Sequence, residues 1–420
     1  MSSEVVPNEK EDEEVAILDI LSKVFKLDEE EICLNEEKQK QLTKHAKSFW
    51  ILEGLIRCLS TYFQDDSSYE QHLEHIYGLL DASLNTGHFS EVPDVYRLLF
   101  SVCCLIQTFI LWKSGKSEEA LAKCDEGLLK GYELDENVLG ELGEILSDHM
   151  GPMEKIEFPS HLSHNPPAPL STTRKISVLN LPSLETFYTN AFLPEKPVII
   201  RGLLSNMPCY KKWSFDYLYN KCGRRIVPVE IGSKYTDEDW SQILMPFGQF
   251  LNDFVANEEN AEEPGYMAQH RLLDQVPSLL KDIIIPDYCS LVSSDEPENI
   301  NCFIGPSSTV SPLHTDPRHN FFFQIRGKKF VRLINPDQRH NIYLFDDFLR
   351  ANSSQVDVER PDYEKFPKFK DVIVEDFVMQ QGDCLYIPQG YFHHIRALEP
   401  SISMSIWFGD SKSCVEKNGK

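Results

Sequence analysis

The sequence predicts an α+β protein in two parts: a helical N-terminal domain, then a β-sandwich or barrel with flanking helices. Three observations carry this. Residues 13–150 repeat apolar side chains at three- and four-residue spacing, as in AILDILSKVF, FWILEGLIRCLSTYF and YEQHLEHIYGLLDASL, the mark of helices that bury one stripe. From residue 176 the texture changes to short runs such as KPVIIRG (196–202), HNFFFQI (319–325), KKFVRLI (328–334) and SISMSIWF (401–408). Their β-branched and aromatic content favours strands. Between the two lies GPMEKIEFPSHLSHNPPAPLSTTRK (151–175), rich in Pro, Ser and His and without period, which reads as a linker.

Taken in order, residues 1–12 form an acidic, disordered tail, since NEKEDEE is charged and nearly devoid of apolar groups. Residues 13–150 form an all-helical domain. Within it LFSVCCLIQTFILWKSGKSEEALAKCDEGLLKG reads as a helix, a short Gly turn and a second helix, like one tetratricopeptide hairpin. Its apolar run 98–112 falls short of the ~18–20 residues that span a bilayer and is expected to be a buried helix. Residues 176–410 form the β-rich domain, interrupted by helices at SLETFYTNAF, SFDYLYNKC and QFLNDFVANE. Residues 411–420 form a C-terminal tail.

The formal charge of −25 argues against a nucleic-acid surface, because phosphates would be repelled. It suits a basic protein partner or a cationic side chain. No signal peptide or membrane span is read. The eleven cysteines lack a C-x-x-C pair, so reduced, buried thiols are expected. His161 and His164 in the linker read as loop residues.

The chemistry centres on SPLHTDPRHNFFFQIRGKKFVRL (311–333). In a strand, residues i and i+2 share a face, so His314 and Asp316 can converge on one point. One imidazole and one carboxylate are two corners of a 2-His-1-carboxylate facial triad, which leaves positions open on Fe(II). The third corner is sought in GDCLYIPQGYFHHIRAL, which holds His393 and His394. His393 shares a face with Ile395 and Ala397, and His394 shares one with Arg396; the apolar face is interior, so His393 is chosen. A hairpin turning at Arg326-Gly327-Lys328 puts Lys329 on the face of Val331 and Leu333, where a lysine needs an anion.

Those pieces, with KPVIIRG, Tyr266 in YMAQH and SISMSIW, resemble a Jumonji C domain over residues 176–408. The resemblance implies a double-stranded β-helix, the jelly-roll or cupin fold, and an oxygenase that depends on Fe(II) and 2-oxoglutarate. It makes His314, Asp316 and His393 the iron ligands and pairs Lys329 with the 2-oxoglutarate carboxylate. It gives Tyr266, Ser311 and Asn320 hydrogen bonds to that cosubstrate and sets Trp407 beside the pocket. Three positions depart from the expected pattern: Phe303 stands for a Trp near the substrate entrance, Thr315 for a Gln and His394 for a Tyr. Similar family members hydroxylate arginine in proteins. A guanidinium needs carboxylates, so Glu230, with Tyr235 and Phe303, is the expected substrate side, and Trp240 is a second candidate for stacking. The partners implied are a protein bearing a target arginine, and O2, with no direct nucleic acid and no membrane. The helical domain is expected to dock proteins, in the nucleus, the cytoplasm or both. Lysine demethylation of histones and a catalytically silent scaffold are the alternatives.

Overall fold

The computed structural model describes residues 9–27, 32–34, 46–87, 91–158, 163–232, 234–236, 240–294, 298–347 and 349–411. The chain divides into two units. The first holds Met1–Met153 with Arg224–Ile226 and Leu273–Ser278, and the second holds the remainder.

The first unit is built from helices α1 (Glu9–Ser22), α2 (Ala46–Phe63), α3 (Tyr69–Leu84), α4 (Asp94–Lys113), α5 (Ser117–Lys130) and α6 (Val138–His149), with a short antiparallel pair β1 (Phe25–Leu27) and β2 (Ile32–Leu34). Helix α1 begins at Glu9, so residues 9–12 are helical rather than part of a disordered tail; residues 1–8 lie outside the described residues. The apolar stripes of α2 to α6 meet in one core around Leu55, Phe100, Leu105, Phe109, Leu121 and Leu142.

Helices α4 and α5 form the expected hairpin, turning at Gly115 with φ +77°. Helix α4 does not fall short of membrane length: it is long and apolar enough to cross one by length and composition alone. Ten of its residues are buried, which makes it the core helix of this unit. Fully buried Asp125 on α5 takes the guanidinium of fully buried Arg225 at 2.6 and 2.9 Å. Gln275 donates to the same carboxylate at 2.8 Å, so the buried charges are paired and hydrogen-bonded.

The second unit is a two-sheet sandwich. Its strands are β3 (Thr173–Arg174), β4 (Ser177–Asn180), β5 (Val198–Arg201), β6 (Ile226–Ile231), β7 (Ser241–Pro246), β8 (Gly265–His270), β9 (Asn299–Gly305), β10 (Val310–Thr315), β11 (His319–Arg326), β12 (Lys329–Ile334), β13 (Val374–Met379), β14 (Cys384–Ile387), β15 (Phe392–Ala397) and β16 (Ser401–Phe408). One sheet runs β10-β15-β12-β13-β3 and the other β4-β5-β14-β11-β16-β9-β8-β6-β7. Their inner faces pack Val331, Leu333, Met379 and Ile395 against Ile199, Phe322, Leu385 and Ile387, the face-to-face arrangement of a sandwich.

Strand β11 is apolar almost throughout because both its faces are covered. Phe322 faces the inner core. Phe321 stacks on Phe408 and lies against Phe187 and Tyr386 on the other side. The turn at Gly327 does not close a hairpin. Strand β11 pairs β14 and β16, whereas β12 pairs β13 and β15. The turn carries the chain from one sheet to the other, and Gly327 at φ +73° permits it; a Cβ there would clash with the Pro400 carbonyl.

Helix α7 (Phe215–Cys222) matches the expectation at SFDYLYNKC, and Ser214 caps it by accepting from the Tyr217 amide at 3.1 Å. The linker contains β3, which pairs in parallel with β13. Nine cysteines, from Cys58 to Cys384, are buried.

Candidate active site

Strands β10 and β15 pair antiparallel with His314 directly opposite His393, so two imidazoles separated by 79 positions become cross-strand neighbours. Their ring centroids lie 4.2 Å apart. Asp316 follows one residue past the end of β10, so its approach owes more to the turn than to strand parity. Its carboxylate oxygens lie 3.6 Å from His314 Nε2 and 3.4 Å from His393 Nε2. The ligand atoms of all three fall within 4.8 Å of one another.

The other ring nitrogens are already committed. His314 Nδ1 lies 2.7 Å from the Pro312 carbonyl and His393 Nδ1 lies 3.1 Å from the Tyr391 carbonyl. A carbonyl can only accept, so each Nδ1 carries the proton and each Nε2 presents a lone pair to the centre. Burial, then the neighbouring His314, lowers the His393 pKa to about 4, which keeps it neutral. Asn320 donates to Asp316 at 3.3 Å and orients the carboxylate.

His394 points to the other face. It pairs in register with Arg332, whereas His393 pairs with Leu333 of the inner face. His394 Nε2 sits 2.7 Å from Glu359, which also accepts from Arg396 at 2.9 Å. His164 lies 2.9 Å from the Ser307 hydroxyl, apart from the centre, and His161 is outside the described residues.

The cavity beside the triad has a volume of about 70 Å³ and is lined by Glu230, Tyr235, Tyr266, Phe303, Ser311, Asn320 and Trp407, among others. Lys329 is buried behind it at 1% exposure. Its ammonium donates to the Tyr266 hydroxyl at 3.3 Å and faces the rings of Phe322, Tyr266 and Phe303 at 5.3, 5.5 and 5.9 Å. No carboxylate pairs with it among the described residues, and burial lowers its pKa to about 7.

Tyr266 is pushed up by burial, and the Ser311 hydroxyl pulls it partly back. Asn320 Oδ1 and Trp407 Nε1 are buried without partners. A buried cation and an unused donor around one cavity fit an anionic ligand, and three converging N and O donors fit a divalent metal.

Beside Tyr266, Glu230 of β6 pairs with it in register. Burial raises its pKa, and the Trp240 indole pulls it partly back. That indole N–H nevertheless closes no hydrogen bond of acceptable geometry, so the two groups are near neighbours rather than a pair. The Tyr235 ring stands edge-on to His314 at 6.4 Å, and its hydroxyl lies 2.9 Å from Ser353 Oγ. Phe303 turns towards Lys329 and packs edge-on to Phe322 at 5.5 Å, on the side where the unused polar groups gather. Asp237, Glu238 and Asp239 lie outside the described residues. Sequence reasoning missed Ser353 and Gln269, the latter lining the cavity at φ +49° inside a bulge of β8.

Residues 184–414 match the model of the cupin-like domain. The chain is 36% identical to "Lysine-specific demethylase 8" of Xenopus tropicalis, covering 77% of this chain and 85% of that one. It is 39% identical to the protein of the same name in Danio rerio, covering 77% and 84%. It is 34% identical to "Jumonji C domain-containing protein 5" of Drosophila melanogaster, covering 77% and 83%.

The chain belongs to the Jumonji C family. As a Jumonji C protein it is an oxygenase of the 2-oxoglutarate-dependent class, on the helical-plus-cupin architecture the sequence predicted. In this family Fe(II) and 2-oxoglutarate are the general cofactors, and the triad, Lys329 and the unused polar groups of the cavity fit them.

Proposed function

We propose that the protein hydroxylates arginine side chains of protein substrates. The overall reaction consumes O2 and 2-oxoglutarate and yields a hydroxylated arginine, succinate and CO2. The observation that carries the arginine reading is Glu230, a carboxylate on the cavity wall with no cation paired to it among the described residues. A guanidinium is a flat, permanently charged donor fork that would use the carboxylate.

His314, Asp316 and His393 would hold the iron, which supplies when bound the oxidising power for inserting one oxygen atom into a C–H bond. Lys329 binds the far carboxylate of 2-oxoglutarate. Its pKa near 7 rises once an anion sits beside it, so the cosubstrate restores a full positive charge. Tyr266, Ser311, Asn320 and Trp407 orient the same molecule. Phe303, Phe322 and Ile395 exclude water. Glu230 and Tyr235 aim the substrate side chain.

Lysine demethylation is the second reading, favoured by the names of two relatives. A methylated ammonium would also be attracted to Glu230, but it would leave the fork geometry unused.

The test is oxidation of an arginine peptide by the wild type and by Glu230→Ala, with succinate measured in parallel. The reading expects peptide oxidation to fall at least ~100-fold, the scale of a lost charge-assisted pair, while succinate formed without peptide persists. Undiminished arginine oxidation by Glu230→Ala would overturn this role for Glu230.

A further inference from the structure

The segment between β6 and β7 carries Lys234, Tyr235, Thr236 and Trp240. Three separate contacts hold it to the loop that follows β12. Tyr235 Oη lies 2.9 Å from Ser353 Oγ, Lys234 Nζ lies 3.4 Å from the Asp357 carboxylate, and Arg350 donates to the Thr236 carbonyl at 3.3 Å.

That loop is in turn sewn to the strand bearing the metal ligands. The Thr315 amide donates to the Asn352 carbonyl at 3.1 Å, and the Ser354 amide to the Leu313 carbonyl at 2.8 Å. Asn352 Nδ2 donates to the Thr315 carbonyl at 3.0 Å, and Ser353 forms an antiparallel bridge with His314 itself. Ser353 is fully buried. Its backbone therefore faces His314 while its hydroxyl holds Tyr235.

We propose that Ser353 is a positioning residue for the substrate. Through Tyr235 it fixes residues 234–236, on the Glu230 side of the cavity, against the metal strand. The Lys234–Asp357 pair and Arg350 pin the residues on either side of Tyr235. Holding the reacting C–H within a fraction of an ångström of the productive position is where such a link acts, because small misplacements cost large factors in rate. A purely structural link would change stability alone. A positioning link also changes how often cosubstrate turnover ends in substrate oxidation. The proposal rests on the reading of this wall as the substrate side.

The test compares the wild type, Ser353→Ala, Lys234→Asp and the charge-reversed double variant Lys234→Asp with Asp357→Lys. Besides the peptide KM and the rate of succinate formation without peptide, two readouts are taken on each. The first is the ratio of hydroxylated arginine peptide to succinate at saturating 2-oxoglutarate. The second is amide hydrogen exchange across residues 234–236 without O2, which needs no turnover. Ser353→Ala removes only the hydroxyl and leaves the backbone bonds from Thr315 to Asn352 and from Ser354 to Leu313 in place, so the fold is expected to survive.

The proposal expects KM for peptide to rise about fivefold in Ser353→Ala, the scale of one hydrogen bond. It expects the ratio to fall, exchange at 234–236 to quicken, and peptide-free succinate formation to stay at the wild-type rate. The double charge variant should recover ground that Lys234→Asp loses. Unchanged coupling and unchanged exchange in Ser353→Ala would overturn it. So would a failure of the double variant to recover together with unchanged exchange. If the wild type oxidises no arginine peptide, the functional reading has failed instead, and the exchange comparison alone decides whether Ser353 holds this segment.

Discussion

Replacing Lys329 by methionine tests the logic of the cosubstrate pocket without touching the metal ligands. Burial alone lowers the lysine pKa from 10.5 to about 7. Each unit is 1.36 kcal/mol, so the buried ammonium is disfavoured by about 5 kcal/mol. The unfolded chain keeps a proton that the folded chain sheds between pH 7 and 10.5. By linkage, stability of the ligand-free protein rises with pH across that window and gains nothing further below it. At pH 7 the penalty is about 4 kcal/mol. Methionine has a similar length and no charge, so Lys329→Met should be a few kcal/mol more stable than the parent at pH 7. Its stability should also lose the rise between pH 7 and 10. With Mn(II) present throughout, addition of 2-oxoglutarate should stabilise the parent by about 2.7 kcal/mol at a hundred times Kd and the variant by nearly nothing. Denaturant unfolding across pH, with and without 2-oxoglutarate, measures both effects. A Met variant less stable at pH 7 than the parent, or one still stabilised by 2-oxoglutarate, would refute the reasoning.

Three further outcomes follow from the same geometry. His393→Ala should abolish Mn(II) binding read by electron paramagnetic resonance, while His394→Ala, on the opposite face of β15, should leave it intact. Asp125→Ala strands a fully buried guanidinium in the helical unit and should cost about 3–5 kcal/mol in denaturant unfolding. Chelation of the purified protein should stop succinate formation, and Fe(II), not Zn(II), should restore it.

The division into a helical part and a β-rich part was readable because helical and strand periods differ so plainly on either side of the linker. Parity distinguished His393 from His394 because β15 is a regular strand with one apolar and one polar face. Lys329 was conspicuous for a related reason, as a charge inside an apolar alternation. What stayed hidden came through the third dimension. The turn at Gly327 looks like a hairpin in one dimension, yet a jelly roll sends successive strands to opposite sheets. Asp316 reaches the centre from beyond the strand end. Ser353 meets His314 through a loop with no period to read, and Arg225 finds Asp125 across a hundred residues. The membrane-length helix α4 shows the converse: only its apolar run 98–112 was counted, whereas the helix starts at Asp94 with a first turn that carries Asp94 and Arg97.

The central claim is oxidation of arginine, and mass spectrometry tests it most directly. Arginine peptides and methyl-lysine peptides are incubated with the protein, Fe(II), 2-oxoglutarate and O2. The account predicts one added oxygen atom on arginine, matched by succinate and abolished by His314→Ala. Loss of a methyl group from lysine, with arginine untouched, would contradict it.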